Sequence, residues 1–135
     1  MKGEIRMLNT TFILSGNVPS KKNSRQVFVK NGRVINIPSK RYKQWHDECM
    51  DILDGFGTLY PPYEIVLVFW MKDNRRTDLD NKVGSVLDLL QDAGIIEDDC
   101  WQKLRSISAR AGGISKDYPR VKVEIHSGLD KPQKV

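Results

Sequence analysis

Two cysteines, Cys49 and Cys100, are all that the 135 residues contain. A small domain held by disulfides needs a denser framework, so this fold must rest on a hydrophobic core. His46 and Cys49 have the spacing of zinc ligands, but Cys100 and His126 lie far apart in sequence, and none of the four falls on a knuckle-like turn. Structural zinc is therefore not expected.

Long apolar runs are also missing. The longest, Ile65–Met71, is far shorter than the roughly 20 residues a membrane-spanning helix requires. The first nine residues, Met1–Asn9, are polar and do not read as a secretory signal. The expectation is a cytoplasmic protein with reduced thiols and no membrane partner. There are no repeats, low-complexity tracts or linkers. G-x-x-x-x-G-K, the dinucleotide fingerprint and the G-x-S-x-G elbow are all absent, which removes the usual signatures of P-loop nucleotide hydrolysis, nicotinamide chemistry and serine hydrolysis. An EF-hand starting at Asp78 fails on spacing. Lys82 occupies a ligand position, Gly84 comes one place late and Leu89 replaces the closing Glu.

What is present fits one folded domain. The hydrophobic fraction is 39%, the charged fraction 29%, the formal charge +5 and the pI about 9.3. A chain of this size buries roughly two thirds of its surface, enough for a core without staples. The charge is uneven. Residues 1–50 carry ten lysines and arginines against three acids, whereas residues 73–99 carry Arg75, Arg76 and Lys82 against eight acids. An acidic centre in a basic protein suits a metal site that acts on a polyanion. Two solvated faces of opposite sign are the simpler explanation of charge alone.

The pattern predicts a strand at Thr10–Ser15, then a basic turn-rich loop, Val18–Arg25. A hairpin comes next, Gln26–Val29 and Arg33–Ile37, turning at Asn31–Gly32. Ser39 is placed to cap a helix whose apolar face is Tyr42, Trp45, Cys49, Ile52 and Leu53. Tyr63–Met71 reads as the central strand. A second helix runs from about Leu79 to Asp92, with Leu79, Val83, Val86, Leu87 and Leu90 as its buried stripe, and stops at Ala93–Gly94. Trp101–Arg110 and Arg120–His126 read as closing strands. The expected fold is α+β, a single domain with one mixed β-sheet and two main helices. The domain is taken as residues 1–128, and 129–135 as a frayed tail.

The second helix carries acids at both ends. Asp78 and Asp80, one residue apart at its start, face one side in extended chain and can share an ion, with Asn81 as an orienting group. Fourteen helical residues carry the chain roughly 21 Å away. The segment Gly94–Asp99, at about 3.3–3.6 Å per residue, is long enough to bring Asp98 or Asp99 back. Converging carboxylates need a cation, and hard oxygen ligands favour Mg²⁺ or Mn²⁺. Arg75 and Arg76 stand beside them, suited to phosphate. Helix capping by Asp78 or Asp80 is the competing explanation. A D-x-D phosphotransferase acting on small molecules is a second.

Arg75–Arg76–Thr77–Asp78–Leu79–Asp80–Asn81, the amphipathic helix after it, and Gly94–Ile95–Ile96–Glu97–Asp98–Asp99 resemble the RusA family of Holliday-junction resolvases, often phage-borne. The loop Pro19–Ser20–Lys21–Lys22–Asn23 is similar to that family's P-S-x-N segment. The resemblance implies a Mg²⁺-dependent homodimer that resolves four-way junction DNA by paired symmetric nicks in recombination and repair. Asp78, Asp80 and Asp99 would be the catalytic metal-binding acids and Asp98 their neighbour. Lys21, Lys22, Arg75, Arg76 and Lys82 are the expected DNA contacts. One position departs from the family. A functionally important lysine usually stands six residues after the first Asp, and here that place is Gly84. Lys82, about 200° round the helix from it, does not substitute directly. A junction-binding protein without catalysis is therefore the alternative within the same fold.

Overall fold

The structure, a computed structural model, describes residues 7–20 and 25–129. Its elements are β1 (Met7–Ser15), β2 (Arg25–Lys30), β3 (Arg33–Pro38), α1 (Lys40–Leu53), β4 (Tyr60–Met71), α2 (Leu79–Asp92), β5 (Leu104–Ile114) and β6 (Arg120–Gly128). Four strands form a mixed sheet in the order β1-β6-β4-β5, in which only β4 and β5 run parallel. The fold is α+β, as the sequence pattern indicates.

β4 is the centre because its apolar run allows burial on both faces. Tyr63, Ile65, Leu67 and Phe69 are buried beneath the helices, and Val68 is buried on the other side. Leu14 of β1, Val121, Val123 and Ile125 of β6, and Val86, Leu89 and Leu90 of α2 complete the core with the buried face of α1. Ser39 caps α1, its hydroxyl accepting from the Tyr42 amide at 3.2 Å. His46 of α1 meets Asp92 at the far end of α2 at 2.7 Å.

The two ends of the sheet are distinct. At one end Ser15, Arg120 and Trp70 are aligned across β1, β6 and β4; at the other are Met7, Gly128 and Tyr60. β5 is an edge strand, mostly exposed on both faces, with Ile107 and Ile114 open to solvent.

Three expectations are corrected. The β2–β3 hairpin is a separate two-stranded sheet rather than part of a single one. Asn31 and Gly32, both at positive φ, make the tight turn that closes the ladder on itself, and Val27, Val29 and Val34 lie exposed. Ile52 is exposed because the buried face of α1 runs through Tyr42, Trp45, Cys49 and Leu53, and Ile52 falls outside it. The buried side of α2 passes through Lys82, Ser85, Val86, Leu89 and Leu90, leaving Leu79, Val83 and Leu87 at its margin. That rotation is possible because both polar side chains find acceptors. Lys82 Nζ donates to the Val18 carbonyl, and Ser85 Oγ donates to the Pro19 carbonyl at 2.6 Å. Strand ends also differ: Trp101–Lys103 form a turn, so β5 begins at Leu104. No helix among the described residues is long and apolar enough to cross a membrane.

Candidate active site

Asp78 is the N-cap residue of α2, but its side chain makes no capping hydrogen bond. Its carboxylate instead lies 3.5 Å from the Asn81 amide nitrogen, and Asp80 Oδ1 accepts from the Asn81 backbone at 3.0 Å. Both acids are exposed. The Asp78 carboxylate is therefore not used as a cap, and two hard-oxygen donors face solvent at the start of one helix. Arg75 folds back on Asp73, with its backbone amide 3.1 Å and its guanidinium 3.5 Å from that carboxylate. Arg76 is exposed beside it.

The acids that come after α2 are held elsewhere. Past the turn at Gly94, which adopts φ +72°, Ile95 and Ile96 are buried. The Leu59 amide donates to the Ile95 carbonyl at 2.8 Å. The Glu97 amide donates to the Tyr63 hydroxyl at 3.1 Å, and the Tyr63 amide donates to the Lys103 carbonyl at 2.7 Å. Both ends of the Glu97–Lys103 loop are thus tied to Tyr63, at the start of β4. Asp98 and Asp99 lie inside that loop. Asp98 Oδ1 accepts from the Asp99 amide at 2.7 Å, and this bond, with help from Cys100, holds the Asp98 carboxyl below the usual carboxylate range. Lys103 and Glu97 pair at 2.9 Å, which pushes the lysine up.

The consequence is a separation. Asp78 lies just beyond the finishing end of β4, and the Asp99 loop is fixed at its starting end. The fourteen residues of α2 span roughly 21 Å between them. The return segment is long enough to close that distance, but it is spent on burying Ile95 and Ile96. Within one chain the two acid groups stay apart, and among the described residues no three His, Cys, Asp or Glu side chains are gathered to hold a metal. The donor chemistry suits Mg²⁺ or Mn²⁺, and the single-chain geometry does not complete a ligand set for either.

Tyr63 is a residue that the sequence pattern places only in the core. Its hydroxyl also donates to the Leu59 carbonyl at 2.8 Å, and burial raises its pKa. Tyr63→Phe is expected to destabilise the fold by about 1–2 kcal/mol, since the part-buried Glu97 amide loses its acceptor. Denaturant midpoints measure the loss, and faster hydrogen exchange at the Glu97 amide would locate it. An unchanged midpoint and unchanged exchange would contradict the tether.

The basic residues divide. Lys82, expected at the surface, is 3% exposed. Burial lowers its pKa to about 8, with Arg41 repelling it further and Asp73 opposing. Lys21 and Lys22 lie outside the described residues. Ser20, just before them, lines a cleft that Arg41, Arg75, Arg76 and Lys82 share. Lys82 and Ser85 anchor the preceding Val18–Pro19 backbone to the first turns of α2, close to Asp78 and Asp80. Two polar residues three apart on an otherwise apolar stripe are the available sequence signal.

Comparison with known families gives one result. The family model described as endodeoxyribonuclease RusA matches residues 17–126, most of the chain. Individual curated proteins give no match.

Proposed function

Because the chain belongs to the RusA endodeoxyribonuclease family, we propose that it is a divalent-metal-dependent nuclease that cuts four-way DNA junctions as a homodimer. The match across residues 17–126 carries this reading, and it covers both acid groups. Asp78, Asp80 and Asp99 are the proposed catalytic acids, with Asp98 beside them. A bound Mg²⁺, or Mn²⁺, would supply an activated water and neutralise charge at the scissile phosphate. Asn81 orients Asp78. Arg75 and Arg76 take the backbone phosphates next to the site. The process served is recombination and repair of cellular or phage DNA in the cytoplasm.

The separation of the acids supports the dimer. β5 begins five residues after Asp99 and ends where the Ser115 amide donates to the Met71 carbonyl, at the start of the loop leading to Asp78. Its outer edge is unpaired among the described residues, and such an edge is a template for a further strand. Two β5 edges paired antiparallel about a two-fold axis bring the Leu104 end of one protomer to the Ile114 end of its partner. Asp99 of each chain then approaches Asp78 and Asp80 of the other, and the site is completed across the interface. Two such sites share the approximate two-fold symmetry of a four-way junction.

A circular plasmid that extrudes a cruciform tests this reading. Paired cuts in strands of like polarity convert it directly to linear DNA, whereas isolated nicks give open circles. Linear product as the first product is expected. Open circles accumulating without linear product would contradict paired resolution.

The Lys21–Lys22 loop is proposed to hold the DNA backbone. Lys21→Ala with Lys22→Ala is expected to weaken junction binding. It should also flatten the slope of log affinity against log salt by about 0.9 per lost duplex phosphate contact. An unchanged slope, measured by fluorescence titration, would remove the loop from the interface.

Gly84 favours a second reading, in which the protein binds junctions without cutting. A Cβ at Gly84 meets nothing within 4 Å, so the position has room for a side chain to start, and Gly84→Lys is the natural test. If the wild type binds and fails to cut while Gly84→Lys cuts, the second reading holds. Cutting by the wild type sinks it.

A further inference from the structure

A cationic cleft opens beside Lys82. Its volume is about 520 Å³, and it opens between the Gly16–Ser20 loop, the first turns of α1 and α2, and the segment after β4. Five cationic side chains, Lys82 and Arg41 among them, line it against two acids, Glu48 and Asp73.

One buried donor in its wall, the Trp45 indole, lacks an acceptor, and a second, the Lys82 ammonium, is only partly satisfied. Trp45 is 6% exposed, and its indole Nε1 has no hydrogen-bond partner among the described residues. That ring lies against Gly16, another wall residue, whose φ of +107° keeps the position free of a side chain. The Lys82 ammonium has three N–H donors, and the Val18 carbonyl takes one. No second acceptor for it is present among the described residues. A buried donor left unmade is costly, so the wall calls for a ligand rich in acceptors. Arg41, exposed on α1, adds a guanidinium to the same space. Acceptor-only and anionic chemistry describes a phosphate group.

We propose that this cleft is a phosphate-binding pocket, distinct from the acidic site, in which Trp45, Lys82 and Arg41 hold a single phosphate group. A phosphodiester of the bound strand and a free phosphate share that chemistry. The strand assignment rests on the nuclease reading, since Thr77 in the wall immediately precedes Asp78. A phosphate held there would fix the strand one contact away from the acids, and Trp45 and Arg41 would act as positioning residues.

The indole ¹⁵N–¹H resonance of Trp45 reports on the pocket directly. The chain has three tryptophans, and Trp45→Phe identifies the relevant peak. Inorganic phosphate is titrated at constant ionic strength against sodium chloride. In a second arm, a synthetic four-way junction is added in EDTA. Phosphate is expected to move the Trp45 peak and leave the other two in place; the junction is expected to move Trp45 as well, and Trp101, exposed two residues from Asp99, is not used as its reference. Arg41→Gln, at an exposed position that the core does not use, should weaken the phosphate response by at least about tenfold. Movement with phosphate but not with the junction supports the pocket and assigns it to a free phosphate. A Trp45 peak that neither ligand moves, or one that moves equally in Arg41→Gln, overturns the proposal. Because this readout needs no cleavage, a failed pocket with intact junction cutting leaves the nuclease reading standing. A working pocket in a protein that never cuts does the reverse.

Discussion

Asp80→Asn is expected to abolish junction cleavage, by about a thousandfold or more, while junction binding stays equal or becomes tighter. Asp80 is exposed, and its carboxylate accepts from the next backbone amide at 3.0 Å. The amide side chain keeps an oxygen to accept that bond, so the fold is expected to survive. What disappears is the charge that would hold a divalent cation, and with it several kcal/mol of transition-state stabilisation. Removing a negative charge also relieves repulsion against the DNA phosphates. Single-turnover cleavage and binding isotherms on the same junction measure both effects. Cleavage at the wild-type rate would show that this carboxylate is not part of the chemistry.

Mixing two inactive variants is expected to restore activity, because α2 holds the two acid groups apart. If Asp99 serves the partner's Asp78 and Asp80, a heterodimer of Asp80→Asn with Asp99→Asn collects both defects in one site. Its other site is then intact. Random exchange makes half of the dimers mixed, so about a quarter of the sites should work. These dimers carry a single working site, so the products should be single nicks rather than paired cuts. If all three acids met within one chain, each site of the heterodimer would carry one defect, and mixing would restore nothing. The measurement is nicking by the two purified variants, alone and after co-incubation under conditions that let subunits exchange. Continued inactivity after demonstrated exchange would contradict the shared site.

The features legible in the sequence are those fixed by neighbours along the chain. The bounds of α2 come from Asp78 before an apolar period and Gly94 after it, and they match the structure. The Asn31–Gly32 turn is readable because positive φ at both positions is a local demand. The features that escape depend on distant partners. Lys82 reads as a surface cation until the Val18 carbonyl, contributed by a loop far upstream, accepts its hydrogen bond. The hairpin reads as part of the sheet because strand pattern does not name a strand's neighbour. The return of Asp99 is permitted by chain length and prevented by the burial of Ile95 and Ile96, together with the two bonds at Tyr63. Contour length sets what a chain can reach, and packing decides where it goes. The cleft at Trp45 and Arg41 has no sequence signature, since its walls come from four separated segments.

The most direct test of the central claim is incubation of the purified protein with an end-labelled synthetic four-way junction, with Mg²⁺ or with EDTA, beside a linear duplex of the same sequence. The expected result is symmetric nicks across the junction in Mg²⁺, none in EDTA, and little cutting of the duplex. A junction left intact in both Mg²⁺ and Mn²⁺, or a duplex cut as readily as the junction, would contradict it.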